Sequence, residues 1–196
     1  AHRFGFDILD SGLLYRLYAF LSHLKIGIDH ISEVITKDIS FVVEDDSVHV
    51  IYEGNKITNQ LRSEDIAKIA SEHSAKKEVR ELLFDIQRDF YNENGLVADG
   101  RDMGTVVFKD AKIKIFLTAS PEIRAKRRYL ELQNRGQEVN MPALIADIEK
   151  RDLKDSSREL SPLFPAEDAH IIDSSEMSLE EVFSFTENLI SNEEFI

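Results

Sequence analysis

Apolar and polar positions are patterned along the chain so that short strands are separated by helices. Four apolar runs predict strands, at residues 4–9, 95–98, 111–117 and 169–172. Between these runs, apolar residues recur every three or four positions, which is the spacing of a helix with one buried face. Strands that alternate with helices are typical of an α/β fold with a mainly parallel sheet.

A different pattern lies early in the chain. Residues 39–43 and 48–52 are rich in β-branched residues and are joined by an acidic turn at 44–47. A second turn follows at 53–56. This segment predicts a small antiparallel meander inserted into the α/β fold.

Helix-capping signals mark several helix starts. Ser63 precedes two acidic residues, where a cap and the helix dipole both favour a helix N-terminus. Ser120 precedes a proline at the first helical position, and Ser178 forms a capping box with Glu181. A helix is also predicted from Pro142 to about Arg151.

The composition sets broad limits on function. The chain has 196 residues, 42% of them hydrophobic, which suits one core with a small insert. Its net charge of −13 argues against a general nucleic-acid binder, which needs a basic surface. Cysteine is absent, and neither a signal peptide nor an 18-residue apolar run occurs. We therefore expect a cytoplasmic monomer that binds neither membranes nor nucleic acid.

The arginines are the residues that suggest chemistry. Arg101 and Asp102 directly follow an apolar run, so they lie at the end of a predicted strand, where α/β proteins bind ligands. Arg151, Asp155 and Arg158 share one face of a helix if that helix continues past Arg151. Each charge taken singly is best explained as a solvated side chain. Taken together, arginines at strand ends and helix starts favour phosphate binding and phosphoryl transfer.

Other chemistries find little support in the sequence. The six histidines show no metal-ligand spacing, and no nucleophile elbow occurs. Gly95 and Gly100 have the separation of a phosphate-binding Walker A loop, but an Arg–Asp pair follows where that loop has Lys and Ser or Thr. The 196 residues therefore contain no Walker A motif.

Six segments of the chain resemble bacterial cytidylate kinases, and they occur in the same order as in that family. They are LDSGLLYR at 9–16, IAS at 69–71, VRELL at 79–83, GLVADGRDMGTVVF at 95–108, RAKRR at 124–128 and IEKRD at 148–152. The segment DGRDMGTVVF is highly specific to the family. The resemblance extends over nearly all of the chain.

The resemblance implies an α/β P-loop kinase core with a parallel sheet, an inserted monophosphate-binding subdomain and a short lid. The predicted strands match the second to fifth strands of the family sheet. The first strand and the Walker A loop are absent from these residues, and we expect a segment truncated upstream rather than a natural loss. We assign residues 1–25 and 92–196 to the kinase core, with a lid near 128–142, and residues 26–91 to the CMP-binding insert.

The resemblance also implies roles for individual residues. Those that match positions contacting the base and the sugar of CMP are Ser71, Arg80 and Asp102 for cytosine, and Arg151 and Asp155 for the sugar. Those that match positions at the CMP phosphate are Arg16, Arg101 and Arg158, with Ser11 beside them.

Arg127 matches the lid side of the family, together with Arg124 and Arg128. Because the Walker A loop is absent, the ATP-binding residues stay unassigned, and Arg127 is only a candidate among them. The expected catalytic residues are Arg101, Arg127 and Arg158, and no metal ligand is assigned. Lys154 and Ser156 replace two basic positions common in the family, and neither change alters an assigned residue.

The implied reaction is transfer of the γ-phosphoryl group of ATP to CMP or dCMP, giving CDP or dCDP, with Mg²⁺ bridging the nucleotide phosphates. Small-molecule nucleotides are then the only expected partners. Two alternatives stay open. The chain is a truncated CMP-binding fragment without kinase activity, or it is a kinase for another nucleoside monophosphate.

Overall fold

The chain forms two units, Ala1–Met103 and Gly104–Ile196, each with its own pair of parallel strands. The computed structural model describes residues 1–44, 47–134 and 136–192. Asp45 and Asp46 of the predicted acidic turn and Arg135 of the predicted lid lie outside these ranges. Across the described ranges, no helix has the length and apolar character needed to span a membrane.

The described residues of the first unit form one parallel strand pair, five α-helices and a meander. A 3₁₀ turn at His2–Phe4 is followed by these elements in chain order: β1 (Asp7–Asp10), α1 (Ser11–His23), α2 (Ile28–Lys37), β2 (Ile39–Glu44), β3 (Ser47–Tyr52), β4 (Asn55–Lys56), α3 (Thr58–Leu61), α4 (Glu64–His73), α5 (Lys77–Arg88) and β5 (Leu96–Asp99).

Strands β1 and β5 are parallel and paired along their full length, so they end at the same level of the sheet. Asp10 lies opposite Asp99 at the carboxyl ends of the two strands. The segments that follow these ends, beginning at Ser11 and at Gly100, therefore start from the same edge of the sheet. That edge is where parallel α/β folds bind their ligands.

Helix α1 is the centre of the first core. The Asp10 carboxylate caps its N-terminus by accepting a hydrogen bond of 2.8 Å from the Leu13 backbone N–H. Leu14, Leu17 and Leu21 are fully buried on the face predicted from the apolar spacing. Because α1 begins immediately after β1, its burial fixes the position of Ser11 and Arg16.

The predicted antiparallel meander is confirmed. β2 pairs with β3 from Ile39 opposite Tyr52 to Glu44 opposite Ser47, and β3 pairs with the short β4. Val50 is fully buried on the inner face of this sheet.

The second unit holds the other parallel pair. A π-helical turn at Met103–Val107 leads into it, and these elements follow: β6 (Ile115–Thr118), α6 (Pro121–Asn134), α7 (Met141–Ser157), β7 (His170–Asp173) and α8 (Leu179–Asn192). β6 and β7 are parallel, with Thr118 opposite Asp173 at their carboxyl ends. The capping box is confirmed, since the Glu181 N–H donates to Ser178 Oγ and the Ser178 N–H donates to Glu181 Oε2.

Three predicted boundaries are wrong. The first strand begins at Asp7 because Gly5, with a φ of 69°, ends the 3₁₀ turn that contains Phe4. The strand predicted over 111–117 is confined to Ile115–Thr118, because the Ala111 N–H bonds back to the Phe108 carbonyl in a turn. The helix predicted to end near Arg151 continues to Ser157.

One substantial helix was not predicted. α2 has five β-branched residues among its ten, a composition that favours strands. It is helical because Ile31 and Ile35, one turn apart, both bury their side chains in the core of the first unit. The division of the chain into functional domains at residues 26–91 stays a prediction.

Replacement of Leu17 by Ala tests whether α1 organises the first core. Removing this fully buried side chain leaves a cavity, so the free energy of unfolding should fall by about 2–5 kcal/mol. Urea unfolding followed by circular dichroism measures the change. The matched control is Leu24→Ala, at a position 49% exposed, and an equal loss in both variants would contradict the assignment.

Candidate functional site

Gly100 brings the two segments at the end of β1 and β5 close together. A Cβ atom at Gly100 would lie 2.9 Å from Met103 Cγ and 3.0 Å from Ser11 Cβ, so a side chain there would force at least Met103 to shift. Glycine at this position therefore allows the chain after β5 to pass against the start of α1. Arg101 and Asp102, the pair predicted at the strand end, follow directly from it.

A buried ion pair lies at this edge. Asp102 Oδ2 accepts from Arg80 Nη2, and the side chains are only 4% and 12% exposed. Arg80 Nη1 also donates to the Ser74 carbonyl at 3.1 Å, and its guanidinium lies over the Tyr15 ring, 5.9 Å from the centroid. These contacts fix the plane of the guanidinium and the direction of the carboxylate.

The third residue predicted to recognise a base lies next to this pair. Ser71 is half-buried on α4, and its carbonyl accepts a 3.0 Å hydrogen bond from Ser74 Oγ. The Ser74 carbonyl in turn accepts a hydrogen bond from Arg80. Ser74, which sequence reasoning missed, therefore connects the Ser71 backbone to Arg80, and Arg80 pairs directly with Asp102.

Ser11 has a buried partner that the sequence analysis did not identify. Its hydroxyl donates to Gln87 Oε1 at 2.7 Å, and Gln87 Nε2 donates to the Leu83 carbonyl at 3.0 Å. A serine hydroxyl has one hydrogen to donate, and here Gln87 takes it. The Ser11 hydroxyl can therefore only accept further hydrogen bonds in this arrangement. The available signal was a glutamine that interrupts the apolar face of α5 one turn after Leu83.

Arg16 and Arg101 supply positive charge to the same unit. Arg16 Nη1 donates to the carbonyls of Leu61 at 3.0 Å and Ser63 at 3.4 Å, which hold it across the junction of α3 and α4. Arg101 is exposed, directly beside the buried Asp102. Both guanidiniums are suited to bind phosphate oxygens.

Two carboxylates face each other at the ends of β1 and β5. Burial of the carboxyl group and repulsion from Asp10 raise the pKa of Asp99, although the residue as a whole keeps exposed surface. Arg101 and the Gly100 backbone act in the opposite direction with smaller effect. The charged form of Asp99 is therefore disfavoured until a cation lies nearby.

The second unit carries its own charged cluster on α7. Asp155 is 5% exposed and lies between Arg151 Nε at 3.9 Å and Arg158 Nη1 at 3.7 Å. The predicted shared face is confirmed because the helix does continue past Arg151. Arg158 caps the end of α7 and donates from Nε to the Ser161 carbonyl.

The three arginines of α6 have different partners. Arg124 makes a two-pronged ion pair with Asp152 of α7, which raises its pKa. Arg128 pairs with Glu131 at 2.8 Å. Arg127 instead donates to the side chain and backbone of Ser174, directly after β7. Ser174 and Asp152 were not singled out from the sequence.

Two parallel strand pairs, with arginines and carboxylates close to the strand ends, define an α/β protein with charged and hydrogen-bonding side chains at the edge where such folds bind ligands. The family model described as cytidylate kinase matches residues 1–192 of this chain. Curated proteins named cytidylate kinase are similar to it. The one from Pseudomonas paraeruginosa is 48% identical over 190 residues, covering 93% of this chain and 82% of its own length.

A second relative, from Pasteurella multocida, is 44% identical and covers 94% of this chain and 83% of its own length. A third, from Photobacterium profundum, is 46% identical with coverages of 93% and 82%. The chain belongs to the cytidylate kinase family. Its mixed α/β structure with parallel strands is consistent with a P-loop nucleoside monophosphate kinase, and the family makes it a kinase that acts on small nucleotides.

Asp10→Asn tests the electrostatics of the strand ends. Asparagine still caps α1 but removes the negative charge, so the pKa of Asp99 should fall part of the way toward its ordinary value. Carboxyl-carbon NMR titration measures it. Because the pKa of Asp99 is raised in the folded state, its contribution to stability grows as the pH falls through that pKa, and the variant should show less of this gain.

The control for this experiment is Asp7→Asn, at the opposite end of β1, where Asp7 lies across from Leu96. That variant should leave the pKa of Asp99 unchanged. An equal shift in both variants would contradict repulsion between the strand ends.

Proposed function

We propose that this protein transfers the γ-phosphoryl group of ATP to CMP or dCMP, producing CDP or dCDP. The observation that carries the proposal is the buried Arg80–Asp102 pair, with Ser71 beside it, at the carboxyl edge of β1 and β5. The family membership of the chain supports the reaction class.

The chemistry of this pair suits cytosine. The exocyclic amino group of cytosine is a donor, which matches the Asp102 carboxylate, and its O2 and N3 atoms are acceptors, which match Arg80 and Ser71. Uracil carries an acceptor oxygen where cytosine carries the amino group. That oxygen and the Asp102 carboxylate would then face each other as two acceptors, with no donor hydrogen between them. Such a mismatch of buried polar groups is strongly disfavoured.

The remaining assigned residues contact the rest of the acceptor nucleotide in this proposal. Arg16, Arg101 and Arg158 bind its phosphate, which suits the forked donors of guanidinium groups. Ser11 lies beside that phosphate. Arg151 and Asp155 contact the sugar, and Asp155 also orients the two arginines between which it lies.

The transfer itself needs little covalent help from the protein. A phosphate oxygen of the acceptor is already a nucleophile, so no general base is required. Arg101, Arg127 and Arg158 neutralise the charge that is shared between the two nucleotides as the phosphoryl group moves. A lid near residues 128–142 excludes water from the reaction.

Magnesium is expected with the donor nucleotide, and the strand-end carboxylates fit it. Mg²⁺ in nucleotide sites binds one or two carboxylates together with phosphate oxygens. Asp10 and Asp99 would provide such a pair, and a nearby cation would favour the charged form of Asp99, whose pKa is raised by burial and by Asp10. When bound, the ion supplies neutralisation of the phosphate oxygens.

A coupled assay of CDP formation from ATP and CMP tests the proposal. Turnover with CMP or dCMP, and much slower turnover with UMP and AMP, is the expected result. Efficient phosphorylation of another monophosphate with none of CMP would refute it. Binding of CMP in calorimetry with no turnover would instead favour a nucleotide-binding protein without kinase activity.

Asp102→Ala should weaken the use of CMP selectively. Loss of the carboxylate removes the acceptor for the cytosine amino group, so kcat/KM for CMP should fall by about 10–100-fold while that for UMP changes little. Asp168→Ala is a matched control because Asp168 also pairs with a cation, Lys114, but is 63% exposed at that pair. An unchanged preference between CMP and UMP in Asp102→Ala would contradict base recognition by this residue.

A further inference from the structure

Arg127 differs from its neighbours on α6 in the kind of partner it has. Arg124 and Arg128 are each paired with a carboxylate, Asp152 and Glu131 respectively. Arg127 makes its hydrogen bonds with Ser174, and in the described ranges no carboxylate pairs with it. Its charge is therefore oriented without being neutralised by a protein anion.

Two atoms of one residue fix this guanidinium. Arg127 Nη1 donates to Ser174 Oγ at 3.1 Å, and Nη2 donates to the Ser174 carbonyl at 2.6 Å. Two parallel hydrogen bonds define the plane of a guanidinium as well as its position. The residue as a whole keeps exposed surface.

Ser174 is itself held firmly. It is 2% exposed and lies immediately after β7, where its backbone N–H donates to the Thr118 carbonyl at 2.8 Å. Its hydroxyl donates to the same carbonyl at 3.0 Å. Because that bond uses the only hydroxyl proton, the oxygen lone pairs are left to accept from Arg127.

We propose that Ser174 is a positioning residue that orients Arg127 for the phosphate groups of the donor nucleotide, an inference that rests on the proposed role of Arg127. Neutral oxygens are suited to this task. A carboxylate partner would offset the charge and would have to be displaced or shared when phosphate binds. A donor that is already oriented needs no reorganisation at the moment of transfer.

The adjacent serine provides a matched control. Ser175 Oγ donates to Asp173 Oδ1 at 2.6 Å and accepts from the Ser120 N–H at 2.9 Å. It therefore caps the start of α6 and makes no hydrogen bond with Arg127. Ser175→Ala removes a hydroxyl of the same kind, one residue away, without touching the proposed interaction.

The test is a mutant cycle in the full protein, with ATP varied at saturating CMP. Ser174→Ala should lower kcat/KM for ATP by about tenfold, the size expected for one hydrogen bond to a charged group, and should leave KM for CMP unchanged. In an Arg127→Met background, Ser174→Ala should have no further effect, and Ser175→Ala should have none in either. An equal effect of Ser174→Ala in both backgrounds would overturn the proposal.

A second readout is independent of activity. Arginine side-chain NMR reports rotation of the guanidinium, which should be slow for Arg127 in the unmodified protein and in Ser175→Ala, and fast in Ser174→Ala. Equal rotation in all three proteins would overturn the positioning role. If Arg127 is rigid but Arg127→Met retains the full rate, then the proposed catalytic role of Arg127 fails while its anchoring by Ser174 stands.

Discussion

The buried ion pair between Arg80 and Asp102 is the interaction on which the account of this protein depends. Removing two charges from water is costly, and the mutual attraction of the pair offsets that cost only when further hydrogen bonds complete the site. Here the Ser74 carbonyl and the Tyr15 ring supply those contacts to Arg80. The pair also connects α5 to the segment after β5, so it fixes the geometry of the site before any ligand binds.

The serines that directly follow β1 and β7 make different hydrogen bonds although they occupy the same position relative to a strand. Ser11 follows β1 and Ser174 follows β7, and both are almost completely buried. The Ser11 hydroxyl donates a hydrogen bond to the Gln87 side-chain carbonyl. The Ser174 hydroxyl donates to the Thr118 carbonyl and accepts a hydrogen bond from Arg127. In both units the residue after a parallel strand is fixed by its neighbours, and charged side chains lie around it.

The sequence was informative where local rules decide the structure. Apolar spacing predicted the buried face of α1, the capping box predicted the start of α8, and the spacing of Arg151, Asp155 and Arg158 predicted their shared face. The strand-end position of Arg101 and Asp102 followed from a single apolar run. Each of these features depends on residues that are close together in the chain.

The features that were missed depend on contacts distant in the chain. Gln87 lies 76 positions from Ser11, and Ser174 lies 47 positions from Arg127, so no spacing rule connects either pair. α2 was missed because its β-branched residues favour strands, and the burial of Ile31 and Ile35 in the core overrides that preference. The resemblance to the family suggested which residues form the site, but only the structure shows that Arg127 is held by neutral oxygens while Arg124 pairs with a carboxylate.

Calorimetric titration of the purified protein with CMP and with UMP tests the central claim most directly, because it measures base recognition without requiring turnover. A site fixed by the Arg80–Asp102 pair predicts that CMP binds at least about tenfold more tightly than UMP, since uracil would leave Asp102 without a donor. Equal affinity for the two nucleotides would contradict the account.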